Sequence, residues 1–184
     1  MAKTSSTMLP LGTKAPGFTL IDTVTNLHYS LVKEKVEKGV VIMFICNHCP
    51  FVIHVNDELV RIANDYRTQG FTFIAISSND VTKYPQDGPQ RMRQVARENN
   101  YTFPYLYDET QEVAKAYHAA CTPDFFVFNS ELALIYRGQL DDSRPGNGIA
   151  VSGRDLRSAL DAVLRNSSVS PNQKPSIGCN IKWK

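Results

Sequence analysis

Cys46-Asn47-His48-Cys49 is the densest run of reactive side chains in the sequence. Two intervening residues let the second sulfur reach the first within one turn, so a mixed disulfide formed on one cysteine is resolved by the other. A thiol at a helix N-terminus is also biased toward thiolate by the N–H groups and dipole of the helix. Cys46, at the outer lip, is therefore expected to be the nucleophile, with a pKa below that of a free thiol. Cys49, one turn inside, is expected to be the resolving thiol. His48 lies between them and can add positive charge or a hydrogen bond. A Cys-x-x-Cys pair can also be half of a zinc site, but the usual second pair is missing, leaving Cys121, Cys179, His48 and His54 to complete one. Two inert core cysteines are the other alternative. The strand-to-helix junction favours dithiol chemistry, and no metal or cofactor is expected.

Such a junction requires a buried strand on one side and a helix on the other. Gly39 precedes the most apolar run of the chain, Val40 to Ile45, whose β-branched content and length suit a strand buried on both faces. Beyond the cysteines, Pro50 starts an amphipathic helix with Val55, Leu59, Ile62 and Tyr66 on one face and Gly70 past its end. Phe71 to Ile76 is the next strand, giving a strand–helix–strand unit with a right-handed crossover. A Pro/Asp/Gly-rich loop, 79–89, leads to a weaker helix over 89–99 and a strand at Phe103 to Leu106. Asp108 with Gln111 reads as a capping box for a helix through His118. Asp124 to Phe128 and Leu132 to Gly138 form an antiparallel hairpin, and Ser152 with Asp155 starts a last helix bearing Leu156, Leu160, Val163 and Leu164. Upstream, Phe18 to Ile21 and Leu27 to Leu31 form an N-terminal hairpin. Residues 1–8 read as a disordered lead-in, 9–166 as one domain and 167–184 as an extended tail outside the core.

Two further cysteines need placing. Cys121 precedes Thr122-Pro123, at the start of a strand where a proline is tolerated because it need not donate to the ladder. It is either a small buried hydrophobe or a third redox thiol. Cys179 lies in a tail segment whose Ile177, Ile181 and Trp183 interrupt a polar ending. That composition predicts docking on the domain or on a partner subunit, either as a plain packing anchor or with Cys179 in bridging range of Cys46 or Cys121 as an accessory resolving thiol.

The chain has 184 residues and a formal charge of +2. Three tail lysines account for the excess, so no basic surface exists to neutralise phosphates and nucleic acid is not expected as a partner. No apolar run approaches the roughly 18 residues of a membrane span, and no secretory signal opens the chain. Four cysteines then read as cytoplasmic thiol chemistry before structural disulfides.

Strand, Cys-x-x-Cys, helix, strand, and later helix, Thr122-Pro123, hairpin and helix together resemble the thioredoxin fold over about residues 9–166. The segment Ala15-Pro16-Gly17-Phe18-Thr19-Leu20 with Tyr29-Ser30-Leu31 resembles its peroxiredoxin/TlpA-like (AhpC–TSA) branch. The resemblance implies an α/β fold: a central mixed sheet flanked by helices, with an N-terminal β-hairpin extension. It also implies that Pro123 is a cis-proline facing the dithiol, with Thr122 just before it. Three departures stand out. Ile45 replaces the usual Trp, no acid lies in strand 40–45, and the Pro-x-x-x-Thr-x-x-Cys peroxidase motif is absent whether counted from Cys46 or from Cys49. His48 in the third position is shared with oxidising members of the fold and predicts a couple above the roughly −270 mV of thioredoxin. The expected activity is thiol–disulfide exchange on a disulfide-bearing protein or a small thiol substrate, supported by a thioredoxin or glutathione reductant. A peroxiredoxin-like peroxidase and a metal-binding or redox-sensing module without turnover are the alternatives.

Overall fold

The computed structural model describes residues 3–184. The chain runs β1 (Lys3–Ser5), β2 (Thr19–Asp22), β3 (His28–Ser30), β4 (Gly39–Phe44), α1 (Pro50–Arg67) and β5 (Phe71–Ser77). It continues through α2 (Pro89–Glu98), β6 (Tyr105–Tyr107), α3 (Glu112–Ala116), β7 (Cys121–Thr122), β8 (Asp124–Asn129), β9 (Leu134–Gly138), α4 (Arg154–Leu164) and β10 (Ile177–Asn180). Seven strands form a mixed sheet in the order β3-β2-β6-β5-β4-β8-β9. β4 pairs in parallel with β5 and antiparallel with β8, which places the strand carrying the dithiol at its C-terminal end deep within the sheet.

All six residues of β4 are buried, as a strand covered on both faces requires. Alternation sends Val41 and Met43 to one face, against Val55, Leu59 and Ile62 of α1, Met92 of α2 and Leu156 of α4. Val40, Ile42 and Phe44 go to the other, against Phe18, Leu31, Ala114 and Tyr117. Burial of Val55, Leu59 and Ile62 follows the predicted helical face and contributes roughly 1.5–3 kcal/mol for each side chain. Pro50 opens α1, and Gly70 at φ +92° turns the chain into β5.

α3 is shorter than the helix predicted from Asp108 through His118, because Gln111 is not a capping-box partner. It adopts a left-handed φ of +64°, and its side chain donates to the carbonyls of Ser78 and Lys182. Asp108 still caps, accepting the N–H of Ala114 at 2.9 Å.

A second sheet, β1-β10-β7, revises both chain ends. Residues 3–8 are not a loose lead-in. Lys3, Thr4 and Ser5 pair with Cys179, Gly178 and Ile177, and Ser6 exchanges hydrogen bonds with Ser176. Met1 and Ala2 lie outside the described residues. The tail is equally part of the structure, since Cys179 and Ile181 are buried and β10 pairs with β7. The tail docks on the domain as its Ile177, Ile181 and Trp183 predicted, but within the core rather than outside it. Polarity hid β1, because a short strand with no apolar residues looks like linker until a partner supplies its hydrogen bonds.

Candidate functional site

β4 delivers the chain to the site, and Ile45 closes the strand by donating its N–H to the Ile76 carbonyl. Cys46, Asn47 and His48 form the turn, and Cys49 is the N-cap residue of α1, its carbonyl accepting the N–H of Val52 and of Ile53. Cys46 is 2% exposed and Cys49 fully buried, so the outer lip is narrower than the sequence suggested. Cys46 nonetheless lines a cleft of about 300 Å³ between α1 and α2, whose walls include Asn56, Asp57, Arg91 and Tyr101.

The Thr122–Pro123 bond is cis, and both oxygens of Thr122 face the dithiol. Its hydroxyl lies 3.5 Å from Cys46 Sγ and its carbonyl 3.1 Å from Cys49 Sγ. The Thr122 carbonyl can accept only from a protonated Cys49, whereas several donors favour the anion there. The Cys46 thiol contributes most, burial opposes, and the thiol of Cys179, the Thr122 side chain and the Val52 backbone add to it. The balance brings Cys49 down to about 5. Cys46 moves the other way, well above an ordinary thiol, because it donates to Cys49, is buried and faces the Asp87 carboxylate. This reverses the expectation that Cys46 itself holds the lowered pKa. The two sulfurs share a proton, and the charge rests on the inner one.

His48 is fixed by a residue that sequence reasoning did not single out. Its Nδ1 lies 2.7 Å from Asp87 Oδ2, and its ring stacks on Tyr84 with centroids 5.8 Å apart. Asp87 is fully buried, accepting from the Asn47 backbone N–H at 2.9 Å and from Asn79 Nδ2 at 2.7 Å. His48 lies 39 residues back along the chain, and within a Pro/Asp/Gly-rich loop one acid looks like any other turn residue. Cys46 Sγ, a His48 ring nitrogen and an Asp87 oxygen lie within 4.8 Å of one another, the one group of metal-ligating type among the described residues. Both Asp87 oxygens already accept hydrogen bonds, which suits anchoring of His48 better than coordination. His54 is apart from this cluster, bonded to Ser143 Oγ at 2.7 Å.

The other two cysteines differ from each other. In the β7–β10 ladder Cys179 pairs with Thr122 and Cys121 with Asn180, so the two cysteines project from opposite faces. Cys121 is fully buried, with its sulfur toward the carbonyls of Pro123 at 3.6 Å and Ser176 at 4.0 Å, and burial pushes its thiol up. Cys179 lies beside the dithiol, with its sulfur 2.7 Å from that of Cys49, a pairing different from the expected ones with Cys46 or Cys121. Burial, followed by the hydrogen bond to Cys49, raises Cys179 to about 12.

Buried Asp124, next to the cis-proline, pairs across the sheet with Phe44 of β4. Burial raises its carboxyl to about 8 against weaker opposing hydrogen bonds, and its Oδ1 lacks a hydrogen-bond partner among the described residues. β8 thus carries a buried acid, whereas strand 40–45 carries none. No described helix is long and apolar enough to cross a membrane.

Known structures share this architecture. An uncharacterized conserved protein from Geobacillus kaustophilus is 58% identical, with a TM-score of 0.98 over 100% of this chain and 97% of that one. A hypothetical protein from Sinorhizobium meliloti is 46% identical, with a TM-score of 0.96 over 98% of each chain. The thioredoxin domain of a thiol-disulfide oxidoreductase from Bacteroides vulgatus, 20% identical, superposes with a TM-score of 0.60 over 70% of this chain and 88% of that one, a likeness of fold. No curated protein matches the chain. The AhpC/TSA family model matches residues 11–137, which include the hairpin, the dithiol and the Thr122–Pro123 segment. The chain belongs to the AhpC/TSA family and has a thioredoxin-like fold.

Proposed function

We propose that the protein is a thiol–disulfide oxidoreductase in which Cys46 attacks and Cys49 resolves. The observation that carries this reading is the position of Cys46 on the cleft between α1 and α2, with Cys49 behind it at the start of α1 and Thr122 beside both sulfurs. Cys49 as thiolate accepts the Cys46 proton while the Cys46 sulfur attacks a substrate disulfide. The substrate S–S bond breaks, one half leaves as thiolate, and a Cys46 mixed disulfide forms. The departing thiolate recovers the proton from Cys49, which then attacks Cys46 Sγ. The second half of the substrate leaves, the Cys46–Cys49 disulfide closes, and two electrons have passed to the substrate. A thiol reductant, one dithiol such as a thioredoxin or two molecules of a monothiol such as glutathione, supplies the two electrons that restore the pair.

Turnover of a model protein disulfide in the presence of a dithiol reductant tests this directly. Cys46→Ser should fall to the rate without enzyme. Cys49→Ser should support one attack and accumulate a Cys46 mixed disulfide visible by mass spectrometry. Wild-type protein that consumes hydrogen peroxide but leaves the protein disulfide intact would replace this reading with the peroxidase. Loss of reactivity reversed by a chelator would favour the metal-binding module.

A further inference from the structure

The tail strand is built to hold Cys179 at one place. β10 lies between β1 and β7, hydrogen-bonded on both edges. At Gly178 a Cβ would land on the Thr122 carbonyl, so only glycine lets β10 approach the residue that touches both dithiol sulfurs. Ser176 Oγ donates to the Pro123 carbonyl at 2.6 Å. Beyond β10, the Lys182 N–H donates to Asn79 Oδ1 at 2.8 Å, and its carbonyl accepts from Gln111 Nε2 at 2.8 Å. Asn79 is the same side chain that donates to Asp87. The position of Cys179 is therefore fixed from its own strand, from the cis-proline segment and from the loop that anchors His48.

At 2.7 Å, the Cys49 and Cys179 sulfurs are only about 0.7 Å farther apart than in a disulfide. Cys49 also has the Cys46 thiol as a hydrogen-bonding neighbour and thus contacts two thiols. Cys179 is 3% exposed, and the thiol of Cys49 at 2.7 Å gives it a route to oxidation and reduction that solvent does not.

We propose that Cys179 is a third redox thiol and that Cys49 exchanges between two disulfide partners, Cys46 and Cys179. This rests on the dithiol reading above and extends it. Starting from the Cys46–Cys49 disulfide, Cys179 loses its proton and its sulfur attacks Cys49 Sγ. The Cys46–Cys49 bond breaks, its electron pair stays on Cys46 Sγ, and the proton passes to Cys46. The step is an isomerisation with no net electron transfer. It leaves the oxidising equivalent in a buried Cys49–Cys179 bond and restores a thiol at the cleft. Reduction reverses the path: Cys46 attacks Cys49, and the disulfide returns to where a reductant reaches it.

The test uses the full chain and diamide, which takes two electrons and two protons from a thiol pair. After acid quench and alkylation, peptide mapping of oxidised wild-type protein should recover a Cys49–Cys179 linked peptide with Cys46 alkylated. Cys46→Ser should still form that link, Cys49→Ser should form none to Cys179, and Gly178→Ala should keep the Cys46–Cys49 link while losing the Cys49–Cys179 one. The same preparations are assayed for reduction of a protein disulfide. Turnover by wild type, with only Cys46–Cys49 linked and no Cys49–Cys179 link in Cys46→Ser, would overturn the third-thiol proposal alone. Absence of turnover, together with a Cys49–Cys179 link in Cys46→Ser, would overturn the oxidoreductase reading while the exchange partner stands.

Discussion

Because Cys49 Sγ is surrounded by thiol and hydroxyl donors while Cys46 faces the Asp87 carboxylate, the first proton lost from the reduced dithiol leaves the inner sulfur. Thiolate absorbance should then rise through a midpoint near pH 5, and Cys49→Ser should remove that transition. The linkage has a definite sign. A thiol depressed in the folded state stabilises the reduced protein above its unfolded value of about 8.5, and that stability is lost as pH falls through about 5. Denaturant midpoints of reduced wild type and Cys49→Ser should accordingly converge in acid and diverge toward neutrality. Replacing Asp87 by Asn removes a charge that raises Cys46, so its alkylation should shift to lower pH with the fold intact. Unchanged alkylation would leave Asp87 with only a structural role. The dithiol and the Thr-Pro were legible in the sequence because their chemistry lies in adjacent residues. Asp87 and the placement of charge on Cys49 were not, since both depend on groups brought together by folding.

At the scale of the element, β8 carries an acid where a central strand would ordinarily carry an apolar residue. Asp124 is paired opposite Phe44 and raised to about 8 by burial. An acid raised on folding costs stability as pH climbs from its unfolded value of about 3.9 to its folded one, and below the unfolded value it costs nothing. Asp124→Asn should therefore raise the thermal midpoint at pH 8 and change it little near pH 4, a difference read by scanning calorimetry. An equal effect at both pH values would locate the cost in packing rather than ionisation. Strands β4, β5, β8 and β9 and helix α1 were readable because their apolar period matches their burial. α3 was overestimated because Gln111 serves the tail, a partner 71 residues away that no local pattern reveals.

For the whole molecule, the three-residue β1 covers one edge of β10, while β7 covers the other. Deleting residues 1–5 should expose that edge, and hydrogen exchange should then speed up over 177–180 while β4 keeps its protection. Protection unchanged at 177–180 would mean that β7 alone holds the tail. The docking of the tail was legible in its Ile177, Ile181 and Trp183 but its strand was not. β1 was not legible at all, since Lys3-Thr4-Ser5 has no alternation to read and its partner lies at the far end of the sequence.

The ladder joining β10 to β7 also sets an order of events during synthesis. Cys46 and Cys49 leave the ribosome before Cys179, which follows Cys49 by 130 residues. Chains emerge and begin to fold from the N-terminal side. For much of translation, therefore, the nascent chain carries the dithiol without the strand that will cover it. Cys49 then has no third sulfur beside it, and its chemistry is that of a two-cysteine protein. A nascent chain that has not yet reached Gly178 would display the dithiol to the reductants and disulfides around it with Cys49 uncovered, whereas pairing of β10 with β7 sets Cys179 beside Cys49.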